Sequence, residues 1–211
     1  MAEIMDYKKE YKDLYFPRIE PSVIKIPKII FVAIDGKGDP NEPNGEYVKA
    51  LEVLYGIQYT IKMSKKGTSV PDGYFDYVVP PLEGLWWITD GKFDLKNKSG
   101  FNWVSMIRLP DYVDKDVFKW ACGEVAKKKK ISTEQAYLFK FNEGLCVQCM
   151  HIGPYSDEPK TLNLIDDFIT GNNLIKDITD KRRHHEIYLS DPMKTEPEKI
   201  KTVLRIPVKK K

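Results

Sequence analysis

Cysteine is scarce in this chain: 211 residues carry three, Cys122, Cys146 and Cys149. An odd count in a chain of this length excludes a disulfide framework as the source of stability. Cys146 and Cys149 have C-x-x-C spacing, but the flanks, GLCVQCMHI, read as an apolar strand. A redox thiolate is normally stabilised at a helix N-terminus instead. No second Cys/His pair stands at zinc spacing, so the thiols read as buried and free, in keeping with a reducing cytoplasm. Long apolar runs are also missing. Nothing approaches the roughly 18 residues that span a bilayer, and the N-terminus, MAEIMDYKKEYKD, lacks the apolar stretch of a signal peptide. No membrane association is expected. Charge of one sign is missing too: 34 Lys and Arg face 31 Asp and Glu, for a net charge of +3. This gives no whole-chain case for direct nucleic-acid binding. The runs KKKK at 127–130 and KKK at 209–211 read as a solvated helix end and a tail. The Gly- and Pro-rich loop GKGDPNEPNG has neither G-x-G-x-x-G nor G-x-x-x-x-G-K-[ST], so it reads as a structural turn rather than a phosphate cradle.

What the chain has is apolar and aromatic material. It is 42% hydrophobic, with 12 Tyr, 9 Phe and 4 Trp. That is enough for a sizeable core and suggests a ligand site with flat walls. Residues 1–24 form a polar, aromatic-dotted leader ending near Pro17 and Pro21, placed to drape over the rest. The run KIIFVAIDG (28–36) is the first clear strand. Glu46–Met63 has helical periodicity, with Val48, Leu51, Leu54 and Tyr55 on one side and Asn44 as the candidate N-cap. YFDYVVPPLEGLWWI (74–88) is a strand bent at Pro80–Pro81. FNWVSMIRLP (101–110) is another. Asp114 caps a helix through about Lys127. TEQAYLFKFNEGLCVQCMHIG then reads as two strands, or a strand and a turn, divided at Asn142-Glu143-Gly144. The loop GPYSDEPKT (153–161) leads into a helix marked by Leu162, Ile165, Phe168 and Ile169. His185–Leu189 and TVLRIPV (202–208) are the last strands.

The two halves repeat. Each reads strand, Pro-containing loop, helix, strand, strand, and the copies lie about 115 residues apart. A βαββ unit of this size cannot bury both its helix face and its sheet face alone. The expected fold is therefore α+β: two tandem βαββ repeats, about 25–128 and 132–211, related by a pseudo-two-fold axis. They would share an antiparallel sheet with helices on one face and a central ligand cleft at the junction. The whole of 25–211 is then one domain.

The candidate site centres on HHEIYLSDP (184–192). Residues two apart in a strand share a face, so Glu186 and Tyr188 point together while Ile187 and Leu189 point away. An acid and a phenol on one strand face form either a solvated sheet surface or the polar wall of a pocket. In an aromatic pocket, a carboxylate can act as general acid or base or as counter-charge to a ligand cation. If the repeats correspond, Glu83 in PPLEGLWW is the rough counterpart of Glu186 and brings a second carboxylate to the cleft. Trp86 and Trp87 diverge, one to the core and one to the cleft, and Trp103 is a further candidate wall. His151 and Tyr155 flank the turn HIGPY. His184 and His185 are adjacent, so in a strand they cannot chelate one metal together. Neither a metal nor an organic cofactor is expected.

The segments LCVQCMHIGPYSDEPKTLNLIDDFI, HHEIYLSDP and KTVLRIPVKK together resemble the GyrI-like small-molecule-binding family, which shares its fold with the effector-binding domains of multidrug-responsive regulators. PLEGLWW with FNWVSMIRLPDYV resembles a stand-alone subset of that family. The resemblance covers nearly the whole chain. It implies tandem βαββ units around an aromatic cleft, with a buried Glu, matched here by Glu186, that receives hydrophobic aromatic or cationic small molecules. The stand-alone subset includes hydrolases of cyclopropyl-pyrroloindole genotoxins. The resemblance thus implies a detoxifying hydrolase, with Glu186, and also Glu83 and Tyr155, at family positions; on the residues themselves, Glu186 or Glu83 would activate water, Tyr188 or the other Glu would serve as acid, and ring strain would make a cofactor unnecessary. The alternatives are a module that binds and sequesters cationic amphipathic drugs without turnover, or a gyrase-inhibitor-like interaction protein.

Overall fold

The computed structural model describes residues 4–67, 70–89 and 100–211. Two short helical turns, α1 (Tyr7–Glu10) and α2 (Lys12–Tyr15), precede the long strand β1 (Ser22–Lys37) and the helix α3 (Glu46–Lys62). Two strands follow, β2 (Leu82–Ile88) and β3 (Phe101–Arg108), and then helix α4 (Lys115–Lys129). The second half runs β4 (Tyr137–Ile152), α5 (Glu158–Gly171), the short β5 (Leu174–Lys176), β6 (His184–Tyr188) and β7 (Lys201–Lys210). No helix among the described residues is long and apolar enough to cross a membrane.

Local chemistry explains most of these boundaries. Asp114 caps α4 as its position suggests, its carboxylate accepting from the amides of Asp116 and Val117 at 2.9 Å. The cap of α3 is Gly45 rather than Asn44, which instead takes a left-handed conformation with φ 59° in the preceding turn. Asn is among the few residues that tolerate that region. The expected strand over 74–88 is real only from Leu82. Pro80 and Pro81 have no amide to give a ladder, and upstream only Tyr77 forms a bridge, to Met5. β4 runs unbroken through Asn142-Glu143-Gly144. Pro27 and Glu143 are the one gap in its pairing with β1, and Gly144 takes the φ of 74° that the chain needs there.

All strand pairs are antiparallel, in the order β4-β1-β3-β2-β6-β7, and β7 returns to pair with β4, closing the sheet into a barrel. The first half contributes β1-β3-β2 and the second β4-β7-β6, so the halves join through β1 with β4 and through β2 with β6. The inner face gathers Phe31, Leu85, Met106, Phe141, Ile187 and Val203, and the leader seals it with Tyr7, Leu14 and Tyr15. The outer face is covered by α3 and α4 over the first half, around Trp103 and Ile107, and by α5 over the second, around Ile165 and Leu204. Between α3 and α5, the β2–β6 junction is left open.

Candidate functional site

That opening is a cleft of about 710 Å³. α3 lines it with Tyr47, Leu51, Tyr55 and Tyr59, a stripe at four-residue spacing that occupies one helix side. β2 contributes Trp86, and Phe101 stands beside it. The segment opening α5 gives Tyr155 and Glu158, β6 gives Glu186 and Tyr188, and the following loop closes one side with Asp191 and Pro192. The pocket is apolar-walled with a few convergent polar groups, the usual composition of a small-molecule site.

The polar groups form a directed chain. The Trp86 indole N–H donates to the Tyr188 hydroxyl oxygen at 2.8 Å, and that hydroxyl donates to Glu186 Oε2 at 2.8 Å. The other carboxylate oxygen, Oε1, lies 3.0 Å from His184 Nε2. Burial, and then the charge of Glu186, push the Tyr188 phenol well above its usual range. Burial, followed by the charges of Glu158, Glu186 and Asp191, raises Tyr155 to about 12. Both phenols are therefore neutral hydrogen-bonding groups at physiological pH. Gly84 makes the chain possible. It pairs directly with Glu186 across the strands, and a Cβ there would stand 2.6 Å from Trp86 Nε1 and 3.1 Å from the Tyr188 oxygen. Three carboxylates, Glu158, Glu186 and Asp191, and one ammonium, Lys8, are among the described lining residues, Asp191 being paired outside the cleft with Lys194 at 3.0 Å.

Of the expected site residues, Glu186, Tyr188, Trp86 and Tyr155 come together in the cleft, and the others lie elsewhere. Glu83 stands opposite Ile187 in the β2–β6 ladder. Directly opposite residues share a face, so Glu83 points into the barrel rather than into the cleft. Glu83 and Glu186 therefore stand on opposite faces and are not counterparts, a distinction that one residue decides in a strand. There Glu83 Oε2 lies 2.9 Å from His185 Nε2, and its Oε1 accepts from the Tyr15 hydroxyl at 3.4 Å. His185 Nδ1 lies 3.1 Å from Glu143, which also accepts from Arg205 at 3.0 Å. Arg205 reaches the Leu14 carbonyl at 2.9 Å, so this inner network also ties down the leader.

Trp87 faces away from the cleft, with the Arg183 guanidinium 4.9 Å over its ring. Trp103 is fully buried behind the cleft wall, edge-on to Tyr47 at 5.0 Å and against the bare backbone of Gly36. His151 is a structural staple. Its Nε2–H donates to the Pro154 carbonyl at 3.1 Å and its Nδ1 accepts from the Thr161 hydroxyl at 2.8 Å, fixing the turn that presents Tyr155. The residues that sequence reasoning did not single out are Glu158, Tyr47, Tyr55 and Asp191. The tyrosines carried a signal, the i, i+4 stripe, but it competes with the core stripe on the same helix. Glu158 gave only the Glu-Pro of a helix start. Among the described residues, no group of three His, Cys, Asp or Glu side chains is placed to hold a metal ion.

An α+β barrel that opens an aromatic, carboxylate-bearing cleft at the junction of its halves is a small-molecule-binding domain. The sequence matches the GyrI-like small molecule binding domain family over residues 19–209, and the chain belongs to that family. Three crystal structures from Listeria innocua are similar in fold and sequence. One, of an uncharacterized conserved protein, is 48% identical with a TM-score of 0.92, covering 97% of this chain and 100% of that one. Two are described as hydrolases. They are 45% and 49% identical with TM-scores of 0.89 and 0.90, covering 97% and 98% of this chain and 100% of each of theirs. No protein of curated function matches the sequence.

Proposed function

We propose that the cleft is the active site of a cofactor-free hydrolase that opens the cyclopropane of cyclopropyl-pyrroloindole genotoxins, a detoxification reaction in the cytoplasm. The observation that carries this reading is the Glu186 carboxylate, held at both oxygens beside a neutral phenol in an aromatic slot. The description of two relatives at 45% and 49% identity as hydrolases supports it. A flat electrophile inserts between Trp86, Tyr47 and Tyr155. Glu186 takes a proton from water as the water oxygen bonds to the cyclopropane methylene. The strained carbon–carbon bond breaks and its electron pair moves through the conjugated ring to the dienone oxygen, which becomes a phenolate; the proton taken up by Glu186 is then released to solvent, which protonates the phenolate and restores the base. The neutral phenol of Tyr155, which also lines the cleft, hydrogen-bonds that oxygen as charge develops on it. Each acid/base role contributes about 10²–10⁴-fold in rate, and ring strain supplies the driving force.

A second reading has one specific observation behind it. The Glu186 carboxylate among aromatic walls is a counter-charge for a cationic aromatic ligand, which would be sequestered without turnover. Incubating the protein with a cyclopropyl-pyrroloindole toxin and following intact and ring-opened species by mass spectrometry separates the two. Multiple turnovers that Glu186→Gln abolishes are expected. Toxin that binds yet survives unchanged over many equivalents would end the hydrolase reading in favour of sequestration.

A further inference from the structure

A glutamate carboxyl group turns freely about its last torsion, which has broad, roughly two-fold minima. One hydrogen bond fixes one oxygen and leaves the plane loosely defined. Two, one to each oxygen, fix the plane and the lone-pair directions. Glu186 has two, and they come from its own strand: Tyr188 lies two residues after it and His184 two residues before it, all on the same face of β6. The Tyr188 anchor is itself held by the indole of Trp86, and Trp86 is the direct cross-strand partner of His184. The arrangement is a chain of four side chains on two adjacent strands, in which His184 is the member that does not line the cleft.

The contact also fixes the direction of the hydrogen bond. An ionised carboxylate only accepts, so the imidazole must be the donor, with its proton on Nε2. His184 Nδ1 is buried and has no hydrogen-bond partner among the described residues. Among the described residues no other hydrogen bond holds the ring, so the bond to Glu186 is the polar contact that its position makes. At 16% side-chain exposure, the imidazole is nearly as shielded as the 12% of Glu186, and water is poorly placed to replace it.

We infer that His184 is the positioning residue of the acid/base centre: its Nε2–H locks the Glu186 carboxylate in the orientation that Tyr188 and the water nucleophile require. This rests on the hydrolase reading for its kinetic consequence and on the geometry alone for its tautomer. Because His184 touches Glu186 and not the ligand, its loss should fall on kcat and not on KM. A glutamine at 184 can place its amide N–H near the position of Nε2, whereas leucine cannot.

Two measurements test it on the full chain. Nitrogen-15 NMR of histidine-labelled protein, with His184 assigned from the spectrum of His184→Gln, should show a proton on Nε2. A tautomer protonated only on Nδ1 overturns the inference whatever the activity. With a cyclopropyl-pyrroloindole as substrate, His184→Leu should lower kcat by about 10- to 100-fold, the scale of a small misplacement of a reacting group. KM should stay within about two-fold, and His184→Gln should recover most of the loss. Wild-type kcat in His184→Leu, or equal loss in both variants, overturns it. An inert wild-type protein would instead defeat the hydrolase reading and leave the tautomer to decide this one.

Discussion

The two faces of β6 carry the same chemistry to opposite ends. On the outer face, His184 and Tyr188 hold Glu186 beside an open cavity. On the inner face, His185 sits between Glu83 and Glu143, with Arg205 completing a network whose side chains are at most 3% exposed. One residue separates the two histidines. Outside, the carboxylate faces a space that a ligand can fill. Inside, each charge of this network has a protein partner and is shielded from solvent. A histidine–glutamate pair in a strand is therefore not a functional signal in itself. What the neighbouring strands place opposite it decides whether it serves a site or the fold.

The sharpest way to break this comparison is to neutralise one carboxylate on each face. Glu143→Gln leaves Arg205 buried without a carboxylate and His185 with only Glu83, and should cost about 3–5 kcal/mol of stability, read from urea unfolding. Glu186→Gln should cost about 1 kcal/mol or less, because the amide oxygen still accepts from Tyr188 and a neutral His184 can accept the amide N–H by moving its own proton to Nδ1, while turnover is lost. Equal destabilisation by both would show that the outer pair is structural as well.

Next in size is the space that divides the faces. Gly84→Ala drives a Cβ against the Trp86 indole and the Tyr188 oxygen. Overpacking of this kind costs about 1–3 kcal/mol. Here it should also break the Trp86–Tyr188–Glu186 chain, so a crystal structure and a ligand-binding titration should both register the loss of the cleft geometry. Unaltered binding would show that the chain tolerates rearrangement.

The smallest effect is a pH dependence that belongs to the inner face. Burial alone would depress the His185 pKa, but Glu143 and Glu83 outweigh it and raise it from 6.5 to about 9. A folded-state pKa above the unfolded value gives stability that is complete below about 6.5 and lost as pH rises through 9. Burial alone would raise the Glu143 pKa, but the charges of His185 and Arg205 outweigh it and hold it at about 2 against 4.5. That contribution is complete above 4.5 and lost as pH falls towards 2. The inner network is therefore at full strength between about 4.5 and 6.5. The urea midpoint should fall between pH 6.5 and 9, and His185→Gln should remove that part of the slope. A slope that survives in the variant would assign it to other groups.

The sequence by itself determined the periodicities and hence the α+β pattern, the duplication at about 115 residues, the Asp114 cap and the shared face of Glu186 and Tyr188. Each of these follows from neighbours a few residues apart, where backbone geometry fixes which side chains meet. It could not determine which face Glu83 would take, because that depends on a register between strands about a hundred residues apart, and a shift of one residue reverses the answer. Nor could it show that Trp103 is buried while Trp86 lines the cleft, that Tyr47 and Tyr55 turn from the core to the pocket, or that Glu158 reaches the site from a helix start. Barrel closure through β4 and β7 was equally invisible, since no local signal records which two edges will meet. Those choices were made only when α3 and α5 packed on either side of the β2–β6 junction and left the space between them open.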